Sequence, residues 1–230
     1  MHQAPRTRSI VKNRASAFPR RTLVWLMAGL AALALASQTA RADTVTIMAV
    51  GDSLTAGFGL APGDGFPAQL EQALLDAGYD VEVIDAGVSG DTTTGGLARL
   101  DWALTPQTDA VIVELGGNDA LRGIDPSVTE QSLDGILASL QDRDLPTLLP
   151  GMLAPPNMGA AYGERFNPIY GRLAEQYETV FYPFFLDGVA AEPDLNLPDG
   201  IHPTAEGIGL IVKRILPYVE DLISRVETQS

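Results

Sequence analysis

The chain reads as an α/β protein built on a parallel sheet, and three observations predict it. Apolar runs of strand length alternate with stretches whose apolar residues recur at helical spacing. The apolar runs are near-continuous rather than alternating, which is how strands covered on both faces read. Loops rich in Gly, Asp and Asn follow the runs, at the carboxyl edge where such sheets bind ligands.

In order along the chain, residues 44–50 give a first strand and residues 66–77 a helix. Leu70, Ala73, Leu74 and Ala77 form the clearest stripe, at i, i+3, i+4 and i+7. Strands are expected over 81–85, 110–115, 146–153 and 180–183, which makes a sheet of about five. Helices are expected over 94–104, 127–142 and 167–177, and a last one from 205 to about 226, with Pro203 in its first turn. Residues 51–63, 86–96 and 116–125 are loops at the carboxyl edge, and a long Gly/Pro-rich loop over 154–167 overhangs it. No internal repeat, low-complexity segment or linker interrupts residues 43–230, so they form one domain.

Residues 1–42 stand apart. Arg6, Arg8, Lys12, Arg14, Arg20 and Arg21 precede an apolar stretch of 14 residues, 23–36, and Ala40-Arg41-Ala42 follows it as a small-x-small cleavage pattern. That is the layout of a secretory signal peptide. The apolar stretch is short of the ~20 residues that a spanning helix needs, so no stable membrane insertion is expected once the leader is removed. A periplasmic or secreted protein, monomeric, is the expectation.

Charge divides the same way. The leader holds seven of the 15 Lys and Arg and none of the 29 Asp and Glu, which leaves residues 43–230 with eight cations against 29 anions, a formal charge of −21. Such a surface keeps a protein in solution and argues against a nucleic-acid or anionic-membrane partner, both of which need a basic face. The sequence has no cysteine, which excludes disulfides, a thiolate nucleophile and thiolate metal sites. A single histidine in residues 43–230 argues against zinc, and neither metal nor cofactor is expected.

Ser53 is the most telling residue. It sits in Val50-Gly51-Asp52-Ser53-Leu54-Thr55, at the end of the first strand, where its hydroxyl can stand at the sheet rim. The plainer reading is a serine capping a helix. The only other histidine of the chain, His2, lies in the leader, so His202 is the one imidazole left to act as base for a serine nucleophile. Asp199 lies three residues before it, close enough to take one ring proton and leave the other nitrogen as acceptor. Acyl transfer also needs donors for a developing oxyanion. Ser89-Gly90-Asp91 can present a backbone N–H, and Gly116-Gly117-Asn118-Asp119 a side-chain amide, although both strings are also ordinary turn sequences. The Gly-x-Ser-x-Gly elbow is missing, because Thr55 stands in place of the second glycine. No phosphate-binding loop ending in Gly-Lys-Ser/Thr occurs. Asp52, Arg99 and Glu114 lie near these loops and read as loop-stabilising partners.

Taken together, Ser53, Gly90, Asn118, Asp199 and His202 resemble the GDSL or SGNH hydrolase family, in the family's order and across essentially all of residues 43–230. The runs around Gly90 and Asn118 are similar to a branch of secreted thioesterases, lysophospholipases and arylesterases. The resemblance implies a flavodoxin-like three-layer α/β/α sandwich. It implies a catalytic Ser53, His202 and Asp199, and an oxyanion hole of the Ser53 and Gly90 N–H groups with the Asn118 amide. It also implies an acyl groove lined by Ala120, Leu121, Pro155 and Pro156. The substrate would be a small-molecule acyl ester, aryl or short-to-medium chain, or a thioester, with no cofactor. A carbohydrate O-acetyl esterase and a non-catalytic acyl-binding protein are the alternatives.

Overall fold

The structure is a computed structural model that describes residues 44–229. The leader expected over 1–42 lies outside the described residues. Five strands form one sheet: β1 (Val45–Gly51), β2 (Val81–Gly87), β3 (Ala110–Glu114), β4 (Thr147–Pro150) and β5 (Val180–Tyr182). All neighbours pair in parallel, in the order β2-β1-β3-β4-β5. The helices are α1 (Phe66–Asp76), α2 (Thr93–Ala103), α3 (Gly117–Leu121), α4 (Pro126–Gln141), α5 (Ala160–Phe166), α6 (Ile169–Gln176) and α7 (Ala205–Gln229). Helix α1 packs on α7 and on β2, whereas α2 packs on α4 and α4 on α6. The result is the expected three-layer sandwich. No helix among the described residues is long and apolar enough to cross a membrane.

Burial explains the strands. Ile47, Met48, Ala49 and Val50 of β1, and the whole of β3, are buried, because helices cover both faces there. Edge strand β2 instead alternates at its start, with Val81 and Val83 buried and Glu82 between them exposed. The Val83 N–H, on the outer edge, donates to the Glu71 carboxylate of α1 at 2.8 Å. Helix α1 buries Leu70 and Leu74 from the expected stripe, while Ala77 falls at its exposed C-cap. Caps set the starts: the Thr92 hydroxyl accepts from the Gly95 N–H at α2, and the Asp125 carboxylate accepts from the Ser127 N–H at α4.

Three expectations need correction. The helix expected over 167–177 is present as α6, but the segment expected to be loop over 154–167 carries a further helix, α5, parted from α6 at Asn167-Pro168. Buried Phe166, the last residue of α5, anchors that turn despite its glycines. A short helix, α3, replaces part of the loop expected over 116–125. Finally, Pro203 lies outside α7. It forms an antiparallel bridge with Asn196, and the Thr204 hydroxyl caps α7 by accepting from the Gly207 N–H.

The order 2-1-3-4-5 reverses direction between β1 and β3, and a crevice at the carboxyl ends of those strands is the binding position of such sheets. Ser53 follows β1 and Asn118 follows β3.

Candidate active site

The Ser53 side chain meets His202 across 149 residues of sequence, with Oγ 2.8 Å from Nε2. The other ring nitrogen, Nδ1, lies 2.8 Å from Asp199 Oδ2. Asp199 is not on a helix. Its second oxygen accepts from the N–H groups of Ile201 (3.0 Å) and His202 (3.1 Å), an Asx turn that aims the carboxylate at the ring. Those bonds, that of the Ile201 N–H first and that of the imidazole next, hold the Asp199 carboxyl down at about 2. The carboxylate therefore stays ionised wherever the imidazole is neutral, and Nδ1 keeps its proton toward it. The Phe58 ring lies against the imidazole, with centroids 4.5 Å apart.

A buried network holds the Ser53 segment from below. Asp52 Oδ1 accepts from the Leu54 N–H at 3.0 Å, and Oδ2 accepts from the Asn118 amide at 2.9 Å. One amide hydrogen of Asn118 is thus tied down, which orients the other. Glu114, at the end of β3, accepts from the Thr55 hydroxyl at 2.8 Å and from the Asp52 N–H at 3.4 Å. Burial pushes the Glu114 carboxyl well above the usual range, and the neighbouring Asp52 charge adds to it. Burial also raises Asp52, against the hydrogen bonds from Leu54 and Asn118 that favour its charged form.

Gly90 is held at φ 83°, in a turn that the Asp91 N–H closes on the Val88 carbonyl at 2.9 Å. A left-handed position of this kind suits glycine. Arg122, at the C-terminal end of α3, donates to the Gly90 carbonyl at 2.7 Å and ties the Gly90 turn to the helix that carries Asn118. Among the described residues, the backbone N–H groups of Ser53 and Gly90 donate to no protein acceptor.

The four expected groove residues separate. Ala120 is buried at 1% exposure and presents no surface, whereas Leu121 is half exposed. Pro155 and Pro156 line a shallow hollow of about 580 Å³ together with Ala154, Gly159 and Pro168, and Ser53 and His202 lie outside it. The Ser53 and His202 side chains are themselves largely covered, with half-exposed Phe58 against the imidazole and exposed Ile201 next to it in the chain. Among the described residues, no cluster of three or more His, Asp or Glu is placed to hold a metal ion.

The profile of the GDSL-like lipase/acylhydrolase family matches residues 49–209. The chain belongs to this family. It is 40% identical to the esterase TesA of Pseudomonas aeruginosa, over 86% of this chain and 98% of that protein. It is 36% identical to thioesterase 1/protease 1/lysophospholipase L1 of Escherichia coli K12, over 87% of this chain and 94% of the relative. Among solved structures, AlinE4, an esterase of the SGNH-hydrolase family, aligns with a TM-score of 0.68 at 48% identity, covering 79% of this chain and 98% of that one. The Ser53–His202–Asp199 contacts and the tie between the Gly90 turn and the helix of Asn118 lie where motif and order place them in this GDSL hydrolase. Phe58 was not foreseen, although an aromatic residue between Gly57 and Gly59 was a usable signal. Nor were the distant partners, Asn118 for Asp52, Gly51 for Arg99 and Thr55 for Glu114, which lie 66, 48 and 59 residues away.

Proposed function

We propose that this carboxylic ester hydrolase works through an acyl-enzyme on Ser53. The observation that carries the reading is the unbroken chain Ser53 Oγ–His202 Nε2, 2.8 Å, and His202 Nδ1–Asp199 Oδ2, 2.8 Å. His202 Nε2 takes the hydroxyl proton as Ser53 Oγ bonds to the substrate carbonyl carbon. The carbonyl oxygen becomes an oxyanion among the Ser53 N–H, the Gly90 N–H and the free hydrogen of the Asn118 amide. Collapse expels the alcohol or thiol, which leaves with the proton from His202. Water then attacks the acyl-enzyme with His202 again as base, releasing the acid and restoring Ser53.

Aryl and short-to-medium acyl esters are the substrates the site suits best, with thioesters and lysophospholipids as slower ones. The acyl group lies beside Leu121 toward the Pro155–Pro156 hollow. Residues 1–42 act as a removable export leader ahead of a catalytic domain over 43–230, placing the enzyme in the periplasm or outside the cell as a monomer. The test is a rate series on protein lacking residues 1–42, comparing aryl esters of rising acyl length with acyl-CoA thioesters and lysophospholipids. Turnover of p-nitrophenyl esters that disappears in Ser53→Ala supports the reading. Ester turnover that survives in Ser53→Ala overturns it.

A further inference from the structure

Arg99 does not touch the triad, yet it joins the two backbone segments that carry the expected oxyanion N–H groups. It lies on α2 and is largely buried, with 20% of its side chain exposed. Its guanidinium reaches three separate elements. Nη2 donates to the Gly51 carbonyl at the end of β1 at 2.9 Å, and Nη1 donates to the Ala86 carbonyl near the end of β2 at 2.8 Å. Nε donates to Asp91 Oδ2 at 2.6 Å. Gly51 lies two residues before Ser53, and Asp91 directly follows Gly90. The Gly51 carbonyl also accepts from the Val88 N–H at 3.0 Å, within the same turn as Gly90.

The chemistry requires a fork. The Gly51 carbonyl keeps its ladder partner, the Val88 N–H, so the guanidinium fills a second lone pair there and ties the strand end to α2. Guanidinium offers five N–H donors in one rigid plane, so it can satisfy two carbonyls and a carboxylate at fixed separations. An ammonium is a point donor and cannot hold the same three positions. Room for the carboxylate is built in as well: a Cβ on Gly95 would lie 1.8 Å from Asp91 Oδ1. Asp91 is in turn fixed by accepting from the Thr92 N–H at 3.1 Å.

We propose that Arg99 is a positioning residue of the hydrolase, whose guanidinium sets the spacing between the Ser53 and Gly90 segments and so the convergence of their two N–H donors. The proposal rests on the acyl-enzyme reading above. A donor displaced by about 1 Å can cost on the order of 10² in rate. The donors act on charge that develops in the transition state, so the loss falls on kcat and spares ground-state binding.

The experiment measures kcat and KM on a p-nitrophenyl ester for wild type, Ser53→Ala, Arg99→Lys, Arg99→Ala and Arg99→Ala with added millimolar methylguanidinium. Thermal unfolding is followed in parallel. The expected result for Arg99→Lys is a kcat lower by roughly 10–100-fold with KM within about threefold. In folded Arg99→Ala, methylguanidinium restores a substantial part of kcat, which a merely structural defect would not do. If Arg99→Ala does not fold, the kcat and KM of Arg99→Lys decide alone. Wild-type kcat in Arg99→Lys, a loss confined to KM, or a folded Arg99→Ala that methylguanidinium leaves unimproved overturns the proposal. Wild-type turnover that Ser53→Ala abolishes keeps the acyl-enzyme reading whatever Arg99 does. A wild type without turnover ends both.

Discussion

The two halves of the site are held in opposite ways. The nucleophile half is braced from inside the protein: Asp52 and Glu114 are each 1% exposed, and their bonds reach Leu54, Thr55 and Asn118 from β1 and β3. The base half is a surface loop. Asp199 keeps 38% of its side chain exposed, and the loop closes on itself through the Leu197 N–H to His202 carbonyl bond at 2.7 Å and the Asn196–Pro203 bridge. The difference teaches where rigidity is needed. Ser53 follows β1, Gly90 follows β2 and Asn118 follows β3, so all three are set by segments anchored at the sheet's carboxyl edge, as the proposed roles of nucleophile and oxyanion donors require. The imidazole must gain and lose a proton, and a short local turn suffices to aim it.

The comparison can be broken by substitutions on each side. The largest effect is expected from Ser53→Ala, which should remove turnover by about 10⁶-fold, with His202→Ala close behind. On the loop side, Asp199→Asn should lower kcat by roughly 10⁴-fold while leaving the thermal unfolding midpoint near wild type. A large fall in that midpoint would show that the loop is structural after all. On the sheet side, Asn118→Ala should lower kcat by about 10²–10³-fold, the loss typical of one oxyanion donor. Glu114→Ala should cost stability as well as rate, because the Thr55 hydroxyl and the Asp52 N–H lose their acceptor at about 1–3 kcal/mol for each buried group. Glu114→Gln keeps an acceptor and should recover most of both, as read by chemical denaturation. The smallest effect is expected from Phe58→Ala. An aromatic contact is worth about 0.5–1.5 kcal/mol, so kcat should fall by no more than about tenfold.

Proton dependence sharpens the same contrast. The Asp199 carboxyl is depressed to about 2, so its charge and the stability it lends are complete above its unfolded value and are lost only as pH falls toward 2. Asp199 should therefore add no ionisation of its own to the kcat/KM profile above pH ~4. A carboxyl NMR signal of Asp199 that titrates above that pH would contradict this.

Most of the sheet was legible because β1 and β3 are covered on both faces and read as unbroken apolar runs. The Ser53–His202–Asp199 contact was legible for a different reason: with one histidine in residues 43–230, His202 had no competitor as its centre. Helix α3 was hidden by Gly116-Gly117-Asn118-Asp119, which reads as a turn. Helix α5 was hidden by Gly159, Gly163 and the flanking prolines, and tertiary burial of Phe166 overrode that weak local preference. The Arg99 fork and the Glu114–Thr55 bond join residues up to 59 positions apart, beyond anything that periodicity carries.

The outer edge of β2 has a consequence for the life of such a molecule at high concentration. Exposed Glu82 and Asp85, one toward each face of β2, and the Glu71 carboxylate already seated on the Val83 N–H set charge along that edge and discourage an incoming strand from a neighbouring chain. Negative charge at this border works against fibre growth from it.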